Sequence, residues 1–157
     1  MFEKIFKKKV GLNVFSDSMN PISDDDIRYF NEFTHVKIPQ PIVALYMIYN
    51  GGTPEKSYFY SEVADIEITI NTFLPIKYKN KTGYTMESMY LKFVKEKVFP
   101  SYYLPFAIDW GSNLICINLN SGEIVVIWMD KCEITENEIK VLFNDFYEFM
   151  SALEYEE

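Results

Sequence analysis

The chain carries one histidine, His35, and two cysteines, Cys116 and Cys132. Most nucleophilic or metal-assisted chemistry would have to run through these three residues. A serine triad needs His35 as its base, and no Gly-x-Ser-x-Gly elbow exists to hold out a nucleophile. Thiol chemistry has only the same histidine to activate Cys116 or Cys132. One histidine and two cysteines make no ordinary four-ligand zinc site unless carboxylates join them. Phosphate-cradling loops of the Gly-x-x-x-x-Gly-Lys or Gly-x-Gly-x-x-Gly kind are absent from the sequence. Paired-carboxylate hydrolysis has 23 acids to draw on, but no spacing selects one pair over another. The expectation is a non-enzymatic protein with no catalytic residue, metal ligand or cofactor. Cys116 sits in the apolar run Leu114-Ile115-Cys116-Ile117 and Cys132 follows Asp130-Lys131 at a strand end. Both read as structural thiols, since free cysteine is among the most often buried residue types.

The elements that would position any site come from a chain of 157 residues, 48% hydrophobic and 17% aromatic. That length buries about two-thirds of the unfolded surface without a disulfide or metal staple. No linker or internal repeat divides it, so one domain over 1–157 is expected, with 1–20 a variable N-terminal segment and 154–157 an acidic tail. The basic N-terminus, Met1 to Val10, lacks the apolar core of a secretory signal. The longest uncharged stretch, Ile38 to Pro54, holds three prolines and two glycines and does not suit a membrane span. A cytoplasmic protein is expected.

Local signals then mark the elements. Ser23 and Asp26 have the spacing of a capping box, with Ile22 and Ile27 as its hydrophobic staple. A short helix follows to about Thr34, with Ile27, Phe30 and Phe33 on one face. The aspartate triplet Asp24-Asp25-Asp26 reads as helix capping, since consecutive acids point in different directions around a helix. Pro39 and Pro41 open a second helix, apolar nearly all round, that Asn50-Gly51-Gly52 stops. Tyr58-Phe59-Tyr60 and Ile66 to Ile70 alternate as strands, and Phe73-Leu74-Pro75-Ile76 reads as an edge or strand end. A helix from Thr85 places Met86, Met89, Tyr90, Phe93 and Val94 on a core face. Leu104–Asp109, Leu114–Leu119 and Glu123–Met129 form a meander joined by Gly/Asn turns. Ile139 to Leu142 reads as extended, with a helix start near Glu138 as the alternative. Phe146, Phe149, Met150 and Leu153 give a closing helix face that Asn144 would cap.

The ordered words Asn50-Gly51-Gly52, Phe73-Leu74-Pro75-Ile76, Leu104-Pro105-Phe106-Ala107-Ile108-Asp109-Trp110-Gly111-Ser112-Asn113, Gly122-Glu123-Ile124-Val125 with Trp128, and Phe146-Tyr147-Glu148-Phe149 resemble the SUKH superfamily. This is the group of bacterial immunity proteins related to a fungal cell-wall assembly regulator. The likeness runs from about Ser23 to Leu153. It implies an α+β fold in which a curved antiparallel β-sheet packs against helices, and a non-enzymatic role in which the protein binds and neutralises a cognate toxin, often a nuclease. The family's turn glycines fall on Gly51, Gly52, Gly111 and Gly122, its acid before the turn on Asp109, and its strand tryptophan on Trp128. Asn50, Pro75, Pro105, Phe146 and Phe149 complete a set of expected fold determinants.

Net charge is −8, from 15 bases and 23 acids. Such a balance disfavours a nucleic acid partner and suits a basic protein. The charge is not spread evenly: residues 1–122 hold 13 acids and 13 bases, whereas 123–157 hold 10 acids and 2 bases. A second asymmetry is basic, with six lysines between Lys77 and Lys97 against Glu87 and Glu96. The acidic end is either solvated surface or a region that steers a basic toxin into contact through Glu133, Glu136 and Glu138. The competing function is a regulatory scaffold that binds a ligand or cellular partner on the sheet's concave face, lined by Tyr58, Tyr60, Trp110 and Trp128. Those aromatics fit the core equally well. With Asp109, these residues are the candidate partner-binding set, and the oligomeric state is left open.

Overall fold

A computed structural model describes Lys4 and residues 13–157. The expected segment 1–20 thus lies mostly outside the described residues. Among those described, the order is β1 (Phe15–Ser16), α1 (Asp24–Thr34), α2 (Gln40–Tyr46), β2 (Thr53–Pro54), β3 (Tyr58–Ser61), β4 (Ile66–Phe73), α3 (Met86–Glu96), β5 (Tyr103–Asp109), β6 (Leu114–Asn118), β7 (Ile124–Ile127), a 3-10 turn (Glu136–Glu138), β8 (Ile139–Phe143) and α4 (Phe146–Ala152). Strands β3 to β8 form one antiparallel sheet in chain order, and β1 pairs with β2 beside it.

Three register shifts, between β4 and β5, β5 and β6, and β7 and β8, bend the sheet, because an extra residue on one strand raises its twist. One of them falls at Pro105, which has no N–H for the ladder; the irregularity is what lets a proline occupy an inner strand. The curl brings the two edge strands together. Ser61 Oγ on β3 donates to Leu142 O on β8 at 2.7 Å, and the Phe59 and Phe143 rings meet edge-on at 5.4 Å. The result is a single α+β domain with a nearly closed, curved sheet.

Helix α4 fills the inside of that curve. Its Phe149 ring lies 5.5 Å from Phe59 and from Phe106, 5.9 Å from Phe143 and 6.2 Å from Phe73. One side chain therefore touches four strands, including both edges. Phe146 adds a ring contact with Phe106 at 5.4 Å. Aromatic rings prefer such edge-to-face packing to flat stacking. All of β7 and most of β6, Cys116 included, are buried.

The helix starts obey local chemistry. Ser23 N donates to Asp26 Oδ2 at 2.9 Å and Asp26 N to Ser23 Oγ at 3.4 Å, closing the expected capping box. Thr85 and Ser88 do the same for α3, and its Met86, Met89 and Tyr90 are buried as the apolar stripe requires. At α4 the cap is Asp145, which accepts from Glu148 N at 2.8 Å, and not the expected Asn144. The aspartate wins because its carboxylate meets the positive helix end. Ile139 to Leu142 is extended, within β8.

Other expectations need correction. Phe33 is 45% exposed and stacks on Tyr29 at 5.5 Å; α1 buries only the narrower stripe of Phe30 and Thr34. Helix α2 ends at Tyr46; Met47 N still donates to Val43 O, and Ile48 N and Tyr49 N both donate to the Leu45 carbonyl. Of the two readings of Phe73 to Ile76, strand end holds and edge does not, since β4 ends at Phe73 and lies between β3 and β5. Cys132 is exposed, because the segment after β7 leaves the sheet.

Asn50-Gly51-Gly52 does more than stop α2. Asn50 is 2% exposed; its Nδ2 donates to Asn20 O and Ile76 O at 2.9 Å, and its Oδ1 accepts from Ile76 N at 2.7 Å. It ties three segments that are distant in sequence. Gly51 has φ +71°, and a Cβ there would lie 2.8 Å from Phe73 O and Pro75 N. Only glycine fits both the backbone angle and the space.

Candidate functional site

Strands β5 and β6 meet at Trp110–Asn113, and Asp109 builds this turn from within. Asp109 is buried; its Oδ1 accepts from Gly111 N at 2.9 Å and Asn113 N at 2.8 Å, and its Oδ2 accepts from Asn113 Nδ2 at 3.1 Å. Asn113 Oδ1 in turn accepts from Met129 N at 2.9 Å, fixing the turn to the end of β7. A Cβ on Gly111 would lie 3.0 Å from Asn113 Nδ2, so a larger residue there would press on the network. Asp109 is thus a positioning residue. The side chain it displays is Trp110, 68% exposed.

Trp128 follows the last residue of β7, and its N–H donates to Glu138 O at 2.8 Å. It is half-buried, and with Gly111, Asn113, Asp130, Lys131 and Glu138 it lines a shallow cleft of about 310 Å³. Glu133 and Glu136 are exposed on the same loop. Glu138 has a structural task as well: its Oε2 accepts from Thr135 Oγ1 at 2.6 Å and Thr135 N at 2.7 Å, capping the 3-10 turn. The Thr135 hydroxyl and amide hold its carboxyl below the ordinary glutamate value.

Tyr58 and Tyr60 lie elsewhere. They alternate with buried Phe59 and so point to the outer face of β3. Tyr58 donates its hydroxyl to Glu67 at 2.7 Å and Tyr60 to Asp65 at 2.5 Å. These carboxylates push both phenols above their ordinary pKa. The four aromatics expected on one concave face are therefore divided between two outer surfaces, and the concave side is occupied by the phenylalanines around Phe149. Curling of the sheet removed the space.

The second surface includes acids that the sequence does not bring together. Glu154 N donates to Tyr58 O at 2.7 Å and Tyr58 N to Glu154 O at 3.0 Å, so the first residue of the expected tail is bridged to β3. A cleft of about 830 Å³ opens on one side, among Tyr60, Glu62, Asp145, Tyr147, Glu148 and Glu154. Another of about 540 Å³ opens on the other, with Tyr58, Glu67, Tyr155, Glu156 and Glu157. No short-range pattern links Glu62 and Glu67 to the C-terminus. Among the described residues the ion pairs are Arg28 with Asp25 and Lys77 with Asp26 at 2.8 Å. Neither uses an acid beyond residue 122.

Among the described residues, no three His, Cys, Asp or Glu side chains are grouped to hold a metal ion, and no helix is long and apolar enough to cross a membrane. The chemistry on display among the described residues is that of contact: an exposed indole, tyrosines and surface carboxylates. A sequence model of the SMI1 / KNR4 family (SUKH-1) matches residues 21–152. The chain belongs to this family. The SUKH-1 match opens just before α1 and closes at the end of α4, so it takes in the whole six-stranded sheet and the Trp110 turn. Glu154 to Glu157 lie beyond it. Comparison with curated proteins returns no match.

Proposed function

We propose that this SUKH-1 protein is a non-enzymatic immunity protein that acts in the cytoplasm, binding a cognate basic toxin, such as a nuclease, and occluding its working face. The observation that carries this is the state of the C-terminal acids: ten acids against two bases after residue 122, none in an ion pair between described residues. Surface carboxylates without a cationic partner leave a negative field free to act outward. Such a field draws an oppositely charged protein into encounter over roughly one Debye length, about 8–10 Å at physiological salt. Basic active faces that handle nucleic acid are natural targets for it.

The test is co-expression with the toxin encoded beside its gene, reading cell survival, and then the association rate of the two purified proteins against salt. Protection, with an association rate that falls as salt rises, is the expected result. Absence of protection against every neighbouring toxin overturns the proposal. Glu133→Gln with Glu136→Gln should slow association at low salt and leave the thermal midpoint unchanged; an unchanged rate removes the steering role.

A further inference from the structure

We infer that the Trp110 turn is the anchoring contact of the complex, and that its indole enters an apolar pocket rimmed by lysine or arginine on the toxin. The inference rests on the immunity function proposed above and assigns it a face. Exposed tryptophans held on a rigid support are among the side chains that most often carry binding energy at an interface. Trp110 is one: 68% exposed, more than any other aromatic side chain described, on a turn that Asp109 and Asn113 close with four side-chain hydrogen bonds. A rigid turn loses little freedom when its tip is buried by a partner, which is why preorganised aromatic anchors dominate binding energy.

The charge around it selects the partner's rim. Gly111, the next residue in the chain, shares a cleft with Asp130, Lys131 and Glu138, and Glu133 and Glu136 are exposed on the segment between the last two, so the neighbourhood of the turn carries four acids and one lysine. An indole beside an acidic segment fits an apolar depression with cations at its rim. The tyrosine clefts on β3 offer no equivalent, because the hydroxyls of Tyr58 and Tyr60 are held by Glu67 and Asp65.

The experiment measures association and dissociation rates of the full chain against the toxin encoded beside its gene. Trp110→Ala should raise the dissociation rate about 30-fold or more, the scale of a hot-spot loss, with the association rate within about twofold and the thermal midpoint unchanged. Glu133→Gln with Glu136→Gln should do the reverse, lowering the association rate and leaving dissociation nearly alone. Asp109→Ala keeps the indole but frees its turn, so dissociation should rise less than for Trp110→Ala. In a Trp128→Phe background, Trp110 emission should shift to the blue on adding the toxin. If wild-type protein binds and protects but Trp110→Ala dissociates at the wild-type rate, the anchor is wrong and the immunity function stands. If wild-type protein binds no neighbouring toxin, both fall.

Discussion

Asn50→Ala tests the reasoning about how the fold is tied. The side chain makes three hydrogen bonds, to Asn20 O, Ile76 O and Ile76 N, and alanine removes them all. A typical intramolecular hydrogen bond contributes about 1 kcal/mol net, and a buried group left without a partner costs about 1–3 kcal/mol. Ile76 is fully buried, so water cannot readily replace the amide there. The expected loss is about 3 kcal/mol, and at about 2–4 °C per kcal/mol for a chain of this size the thermal midpoint should fall by about 6–12 °C. Calorimetry and urea denaturation read this directly. Asn50→Asp is the sharper companion: it keeps the acceptor for Ile76 N but sets a carboxylate against two carbonyl oxygens, and should be at least as unstable near neutral pH. A midpoint for Asn50→Ala within about 2 °C of wild type would show that the residue is only a helix stop.

Three more outcomes follow from burial and charge. Phe149→Ala should cost about 3–5 kcal/mol in urea unfolding, the usual range for a phenylalanine cavity, because its ring meets those of four strands; a loss below about 1.5 kcal/mol would mean that α4 does not plug the sheet. In native protein a thiol reagent should add one mass increment, at exposed Cys132, since Cys116 is buried and its thiol is pushed well up by desolvation; two increments before unfolding refute this. Burial raises the carboxyl of Glu87 above its ordinary 4.5, so the folded state holds that proton more tightly than the unfolded chain. Stability from this group is greatest at low pH and is lost as pH rises from 4.5 through the folded value. Glu87→Gln should flatten that part of the stability curve, and an identical pH dependence in wild type and variant removes the assignment.

Much of the architecture is written in contiguous stretches. Ser23 and Asp26 meet because a helix start needs an acceptor three residues from a donor. Pro39 and Pro41 suit a first turn, and the isoleucines of β4 alternate because a pleated strand shows its side chains on two faces. The meander from Leu104 to Ile127 is equally local, strand and turn following one another with little chain between. Even the charge imbalance after residue 122 needs no coordinates. These features depend on neighbours within a few residues, so composition and period carry them.

The surface chemistry depends on distant neighbours and emerges only in three dimensions. Asn144 or Asp145 as the cap of α4 is a one-residue choice made by the electrostatics of the helix end. Burial of Glu87, exposure of Phe33 and the clamp of Asn50 on Ile76 depend on how α1, α3 and the end of β4 pack. The concave face expected to hold Tyr58, Tyr60, Trp110 and Trp128 closed because register shifts bent the sheet until Ser61 reached Leu142, leaving room only for α4. That closure also brought Glu154 to Tyr58. Periodicity says which side of a strand a residue occupies, but the curvature of the whole sheet decides whether that side becomes core, cleft or open surface.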